Sequence, residues 1–138
     1  SFEGLRDYLL TVQADFVCPH RPRNSESPRQ TEAKTRDYLA SMKQIGRIVP
    51  VHYQEPFRRG YQDWQPTAGD YATDARGART GGAAGWCFHN GQQKDGPGGA
   101  PRRSFDLRQA GLFEHLDLEE RKALEELRLL DGSRGSGR

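Results

Sequence analysis

Apolar residues recur along this chain in two rhythms, a helical one and a shorter one that suits strands. Leu5, Tyr8, Leu9 and Val12 repeat at helical spacing, and Ala14 to Pro19 follows as a short apolar run ending in His20, Arg21, Pro22 and Arg23. A helix feeding a strand is expected there. After the polar, Pro-marked stretch from Asn24 to Gln30, Thr31 is the expected N-cap of a second helix. Glu32 then lies in the first turn, where the dipole favours an acid, and Tyr38, Leu39, Met42 and Ile45 form the buried stripe. Gly46 supplies the stop. Ile48 to Glu55 reads as a second strand, although Pro50 and Pro56 cannot donate to a sheet ladder.

The loop Pro56 to Pro66 carries Phe57, Tyr61 and Trp64 beside Arg58 and Arg59, more aromatic surface than a connector requires and of the kind that sugar rings and other flat ligands use. The two arginines read as a solvated loop pair. Thr67 is placed to cap a third helix with Tyr71, Ala72, Ala75 and Ala78 on one face. Gly81 and Gly82 break it, and Ala83 to Phe88 reads as a third strand. Gly91 to Pro101 is a Gly- and Pro-rich loop. From Leu107 a helix is expected with a break near Asp117, then Glu119 to Leu130 with Leu124, Leu127 and Leu130 as its face. The order αβαβαβ predicts βα units and a parallel sheet with right-handed crossovers, either an open doubly wound sheet or part of a (β/α)8 barrel. Neither G-x-G-x-x-G after a strand nor G-x-x-x-x-G-K-[ST] occurs, so a nucleotide phosphate cradle has no support and the barrel reading gains.

Composition adds a constraint. Leu, Ile, Val and Phe number 24 of 138 residues, too few for a comfortable core, yet the formal charge of only +2 lacks the high-charge half of the disorder signature. A folded piece of something larger is expected, spanning residues 1–130, with 131–138 as a flexible tail. The 21 basic residues are balanced by 19 acids and dispersed, which argues against nucleic-acid binding through a basic stripe. No apolar run approaches the roughly 20 residues that span a bilayer, and no signal peptide is visible, so no membrane partner is expected and the compartment stays open. Cys18 and Cys87 fall within expected strands, where a thiol behaves as a small hydrophobe.

Candidate chemistry gathers where strands stop. Glu55 lies at the end of its strand, and in a barrel of parallel strands the catalytic groups occupy the C-terminal strand ends. His20, and the stretch from Trp86 to Asn90, stand in the same relation to theirs. His20 with Arg23 would position a substrate hydroxyl or orient Glu55, unless the histidine is satisfied by nearby backbone. Trp86 would stack on a sugar face or fill the core, and of His89 and Asn90 only one can point inward. His20, Glu55 and His89 are metal-ligand types, but their long separations carry no spacing signature, so neither a metal nor another cofactor is expected.

Three segments together, Asp15 to Arg23, Val51 to Gly60 around Glu55, and Gly82 to Gly91, resemble the C-terminal part of a clan A, cellulase-like (β/α)8 glycoside hydrolase. The resemblance implies a partial TIM barrel of the last three βα units, strands six to eight, lacking the N-terminal half. It implies Glu55 as catalytic nucleophile, Trp86 as the aromatic flooring the sugar subsite, and a carbohydrate substrate touched by His20, Arg23, Tyr53, Trp86, His89 and Asn90. The family's Asn-Glu pair on strand four, whose Glu is the acid/base, has no counterpart, and His20 stands nearest to the place of a strand-six Tyr. A retaining glycosidase needs two carboxyls about 5 Å apart, so the chain alone is expected to be inactive. The alternative is a non-catalytic carbohydrate-binding or interaction half-barrel that keeps Phe57 to Trp64 and Trp86. A barrel of the same ancestry that transfers or isomerises is a third reading.

Overall fold

Leu5 and Leu9 turn inward from a short first helix, α1 (Leu5–Leu10), and begin the larger of two apolar clusters. The computed structural model describes residues 2, 4–61, 63–89 and 106–132. Helix α2 (Ser27–Ile45) starts a turn before the expected cap at Thr31. The reason is local: the Asn24 carboxamide oxygen accepts from the N–H groups of Glu26 and Ser27, both at 3.1 Å, and Pro28 suits the first turn. Thr31 therefore lies inside the helix, fully buried with Thr35, and both look toward the next helix. Tyr38 and Met42 continue the buried face, and Gly46, at φ +87°, ends the helix in the left-handed conformation that glycine adopts cheaply.

Thr67 caps α3 (Ala68–Gly81) as the sequence predicts, in a reciprocal box with Asp70, and Gly82 at φ +95° terminates it. Helices α2 and α3 approach closely because glycine stands at the contact. A Cβ on Gly81 would lie 2.6 Å from the Thr35 Cβ and 2.8 Å from the Glu32 carbonyl oxygen. One on Gly77 would lie 3.1 Å from the Glu32 nitrogen.

Two very short strands follow these helices in turn, β1 (His52–Tyr53) after α2 and β2 (Gly85–Trp86) after α3, paired in parallel with His52 opposite Gly85 and Tyr53 opposite Trp86. A single parallel bridge joins Val17 to Val51. Backbone bonds from Val17 N–H to the Pro50 carbonyl and from His52 N–H to the Val17 carbonyl, each 2.9 Å, hold that edge. Period-two alternation turns Val51, Tyr53 and Trp86 toward the helices, where they join Met42, Tyr38 and Ala78 in the core. His52 faces the other way, its ring lying where a Gly85 side chain would stand.

The expected three βα units of a barrel are not what forms. Among the described residues two strands of two residues and one isolated bridge stand beside helices of 19, 14 and 15 residues, so the described part of the chain is chiefly helical. Prolines at 19, 50 and 56 flank the strand segments and supply no ladder N–H, which limits how far pairing can run.

After the second strand, α4 (Leu112–His115) and α5 (Leu118–Gly132) are separated by the break expected near Asp117. Asp117 and Glu120 exchange side-chain to backbone bonds of 2.9 Å in both directions, a capping box that starts α5. The fully buried positions of α5 are Glu120 and Ala123, so its inward face is turned slightly from the expected Leu124 stripe. Glu119 accepts from the Ala68 N–H at 3.0 Å and Arg79 donates to the Leu130 carbonyl at 2.6 Å, tying α5 along α3. The helix runs to Gly132, two residues into the expected tail.

At an open helix position Gly→Ala gains about 1 kcal/mol from propensity. Gly81→Ala is expected to do the reverse and cost roughly 1–3 kcal/mol through overpacking against Thr35 and Glu32, with Gly77→Ala milder. Denaturant midpoints of the two variants check this, and a more stable Gly81→Ala would show that the helices are not in that contact.

Candidate functional site at the strand ends

The loop that leaves Val17 is pinned by Arg21, whose side chain reaches between α2 and α3. Its guanidinium donates to the Ser27 carbonyl at 2.6 Å, contacts the Thr31 hydroxyl and lies 3.4 Å from Asp74 Oδ1. Asp74, on α3, is 1% exposed and also accepts from the Trp86 indole N–H at 2.6 Å and contacts the Thr31 hydroxyl. Burial pushes its carboxyl above the ordinary range, while the bonds from Thr31 and Trp86 and the charge of Arg21 oppose that. One carboxylate thus joins the loop after Val17, helices α2 and α3, and β2.

With Arg21 anchored, Arg23 projects from the same loop toward the exit of β1. Its guanidinium lies 3.3 Å from both the carboxylate Oε2 and the backbone carbonyl of Glu55. The Glu55 side chain keeps 45% exposure, so its oxygens remain open to solvent and the pair contributes at most about 1 kcal/mol to stability. Farther along the same exit, Arg58 lies 4.2 Å over the Tyr61 ring, which Arg23 approaches at 5.5 Å. From beyond the end of β2 comes His89, whose Nε2 lies 3.4 Å from the Arg58 guanidinium. The guanidinium can only donate, so the neutral ring accepts on Nε2 and carries its proton on Nδ1. Burial holds the His89 pKa below its ordinary value; Glu55 opposes this, and Arg58, Arg23 and His20 reinforce it.

The exits of three successive parallel segments therefore deliver Arg23, Glu55 with Arg58 and Tyr61, and His89 to one place. His20 is exposed and within electrostatic reach of His89. Two expected contacts lie elsewhere. Tyr53 is 2% exposed with its hydroxyl 2.8 Å from that of Thr35, on the helix side. Trp86, its register partner, shares that side and gives its N–H to Asp74, so neither floors a sugar subsite beside Glu55. Asn90 lies outside the described residues.

Arg58, read in the sequence as half of a solvated loop pair, and Tyr61, read there as aromatic surface for a flat ligand, belong to the cluster, whereas Arg59 is structural and pairs with Asp117 at 2.7 Å. For Arg58 the sequence signal was position, three residues after Glu55. Cys18 and Cys87 are free thiols; Cys87 Sγ is 3.5 Å from His52 Nε2, and burial, then the neighbouring Cys87, pushes Cys18 up. Among the described residues no group of three His, Cys, Asp or Glu side chains is placed to hold a metal. The larger surface depressions, one along α3 and α5 by Trp86 and one between Phe113 and Arg128, do not include Glu55 or His89. The polar fan around Glu55 is an open surface site. Searches of protein-family models, curated proteins and solved structures gave no match to this chain.

Replacing Asp74 by Ala strands the Arg21 guanidinium, itself 9% exposed, without its countercharge. A loss of about 3–5 kcal/mol is expected in denaturant unfolding, as for other buried pairs broken from one side; a loss below 1 kcal/mol would show that the network is dispensable. His89 sets a pH dependence. Its folded pKa is depressed below about 6.5, so the unfolded chain takes up the proton first and stability falls as pH drops below that value. His89→Gln should flatten that share of the decline between pH 7.5 and 5, measured as urea midpoints; identical slopes in the two proteins would contradict it.

Proposed function

We propose that Arg23, Glu55, Arg58, Tyr61 and His89 form a carbohydrate site and that Glu55 is the nucleophilic carboxylate of a retaining glycoside-cleaving centre. The observation that carries this reading is an accessible carboxylate held 3.3 Å from a guanidinium and ringed by groups from the neighbouring strand exits. Attack at an anomeric carbon needs an ionised, oriented and solvent-reachable oxygen. Arg23 orients Oε2. Arg58 and His89 offer polar contacts to sugar hydroxyls, and Tyr61 offers aromatic surface. The cellulase-like resemblance of the segments around Glu55 points the same way.

Among the described residues the cluster holds one carboxylate, so protonation of an ordinary leaving group falls to a second carboxyl from outside it. The chain by itself then binds sugar and accepts a glycosyl group only from a donor whose leaving group departs unprotonated. Incubation with 2,4-dinitrophenyl 2-deoxy-2-fluoro-β-glucoside is the test. A Glu55 oxygen attacks C1, the bond from C1 to the phenol oxygen breaks, and dinitrophenolate leaves with the electron pair. Mass spectrometry should find one fluoroglucosyl ester, mapped to Glu55 and absent from Glu55→Gln. Retained cello-oligosaccharide binding with no ester would remove the nucleophile and leave a binding module, the reading favoured by the single carboxylate.

A further inference from the structure

Four arginines near the strand exits differ in one respect. Arg21 has Asp74, Arg23 has Glu55 and Arg59 has Asp117, whereas Arg58 has no carboxylate partner among the described residues. The residue is nonetheless half-buried, with Nε withdrawn from water and lacking an acceptor. Its neighbours are the face of Tyr61 and the Nε2 of His89, neither of which neutralises a cation. Charges taken from water are normally paired. The cluster carries two guanidinium charges against the one carboxylate of Glu55, and His20 can only add to the positive side.

We infer that the site takes an acidic saccharide, with a hexuronate carboxylate supplying the anion that Arg58 lacks. The inference rests on the carbohydrate reading of the site and narrows it to a substrate class. A planar guanidinium matches a carboxylate in two parallel bonds, which neither a lysine nor a neutral C6 hydroxymethyl group reproduces. The aromatic face of Tyr61 lies against Arg58 without consuming its charge, and Arg23, 3.3 Å from Glu55, keeps the nucleophile apart from the incoming anion.

Two ligands that differ only at C6 separate the possibilities, cellotetraose and the β-1,4-linked tetramer of glucuronic acid. Calorimetric titration of the full chain at low salt should show the acidic tetramer binding about tenfold tighter or more, an advantage that shrinks at 0.2 M salt. In Arg58→Gln the ratio of the two affinities should fall to about one. Arg29→Gln, an equal charge change on an exposed arginine of α2, should leave the ratio as it is in the unaltered chain. Equal affinities in the unaltered chain would overturn the inference and leave the carbohydrate reading standing. Loss of the advantage in Arg29→Gln as well would reduce it to net charge and overturn the role of Arg58. Binding of neither tetramer would overturn both the inference and the reading it rests on.

Discussion

Asp74 sits 1% exposed on α3, with Arg21 from the loop after Val17, Thr31 from α2 and Trp86 from β2 around it. Each of these groups would be expensive to bury alone: a guanidinium without a counterion, a carboxylate without donors, an indole N–H without an acceptor. Together they satisfy one another, and the arrangement exists only when α2, α3, β2 and the loop after Val17 are in place. The network therefore specifies how the layers dock. It also carries position outward, because Arg21 anchors the loop from which Arg23 reaches Glu55.

The helix pair succeeds with little apolar mass. Gly77 and Gly81 bring α3 against Thr31, Glu32 and Thr35, so backbone and small side chains make the contacts that larger residues make elsewhere. Thr35 spends its hydroxyl on the Thr31 carbonyl and on Tyr53, which lets polar residues occupy a buried face. A second cluster of Phe57, Ala68, Tyr71 and Ala123 seats α5, with Trp86 packed between the two clusters. The scarcity of Leu, Ile and Val is offset by aromatic residues and by close approach.

The same layering separates structure from chemistry. Side chains of β1 and β2 that alternate toward the helices, Tyr53 and Trp86, are consumed by the core and the Asp74 network. Groups beyond the last ladder bonds are released from that constraint, and it is there that Glu55, Arg58 and His89 meet Arg23. Parallel pairing of successive segments places all three exits on one side. Burial, reinforced by the cations beside it, lowers the pKa of His89, and Arg23 keeps a carboxylate oriented while still exposed.

Much of this was legible in local residue patterns. Gly46, the Thr67 cap, the Gly81 to Gly82 stop and the break at Asp117 were readable because caps and left-handed turns depend on a few adjacent residues. Placing Glu55 at a strand end followed from the β-branched run before it and needed no partner. The start of α2 was misplaced because Thr31 and Asn24 are both good caps, and the buried bonds to Arg21 and Asp74 assign Thr31 to the interior. The strand lengths, the turn of Tyr53 and Trp86 toward the helices, and the division of labour between Arg58 and Arg59 depended on tertiary structure. Each is decided by a contact with a residue distant in the chain, Thr35, Asp74, His89 or Asp117, and by the helix packing that brings those residues within reach.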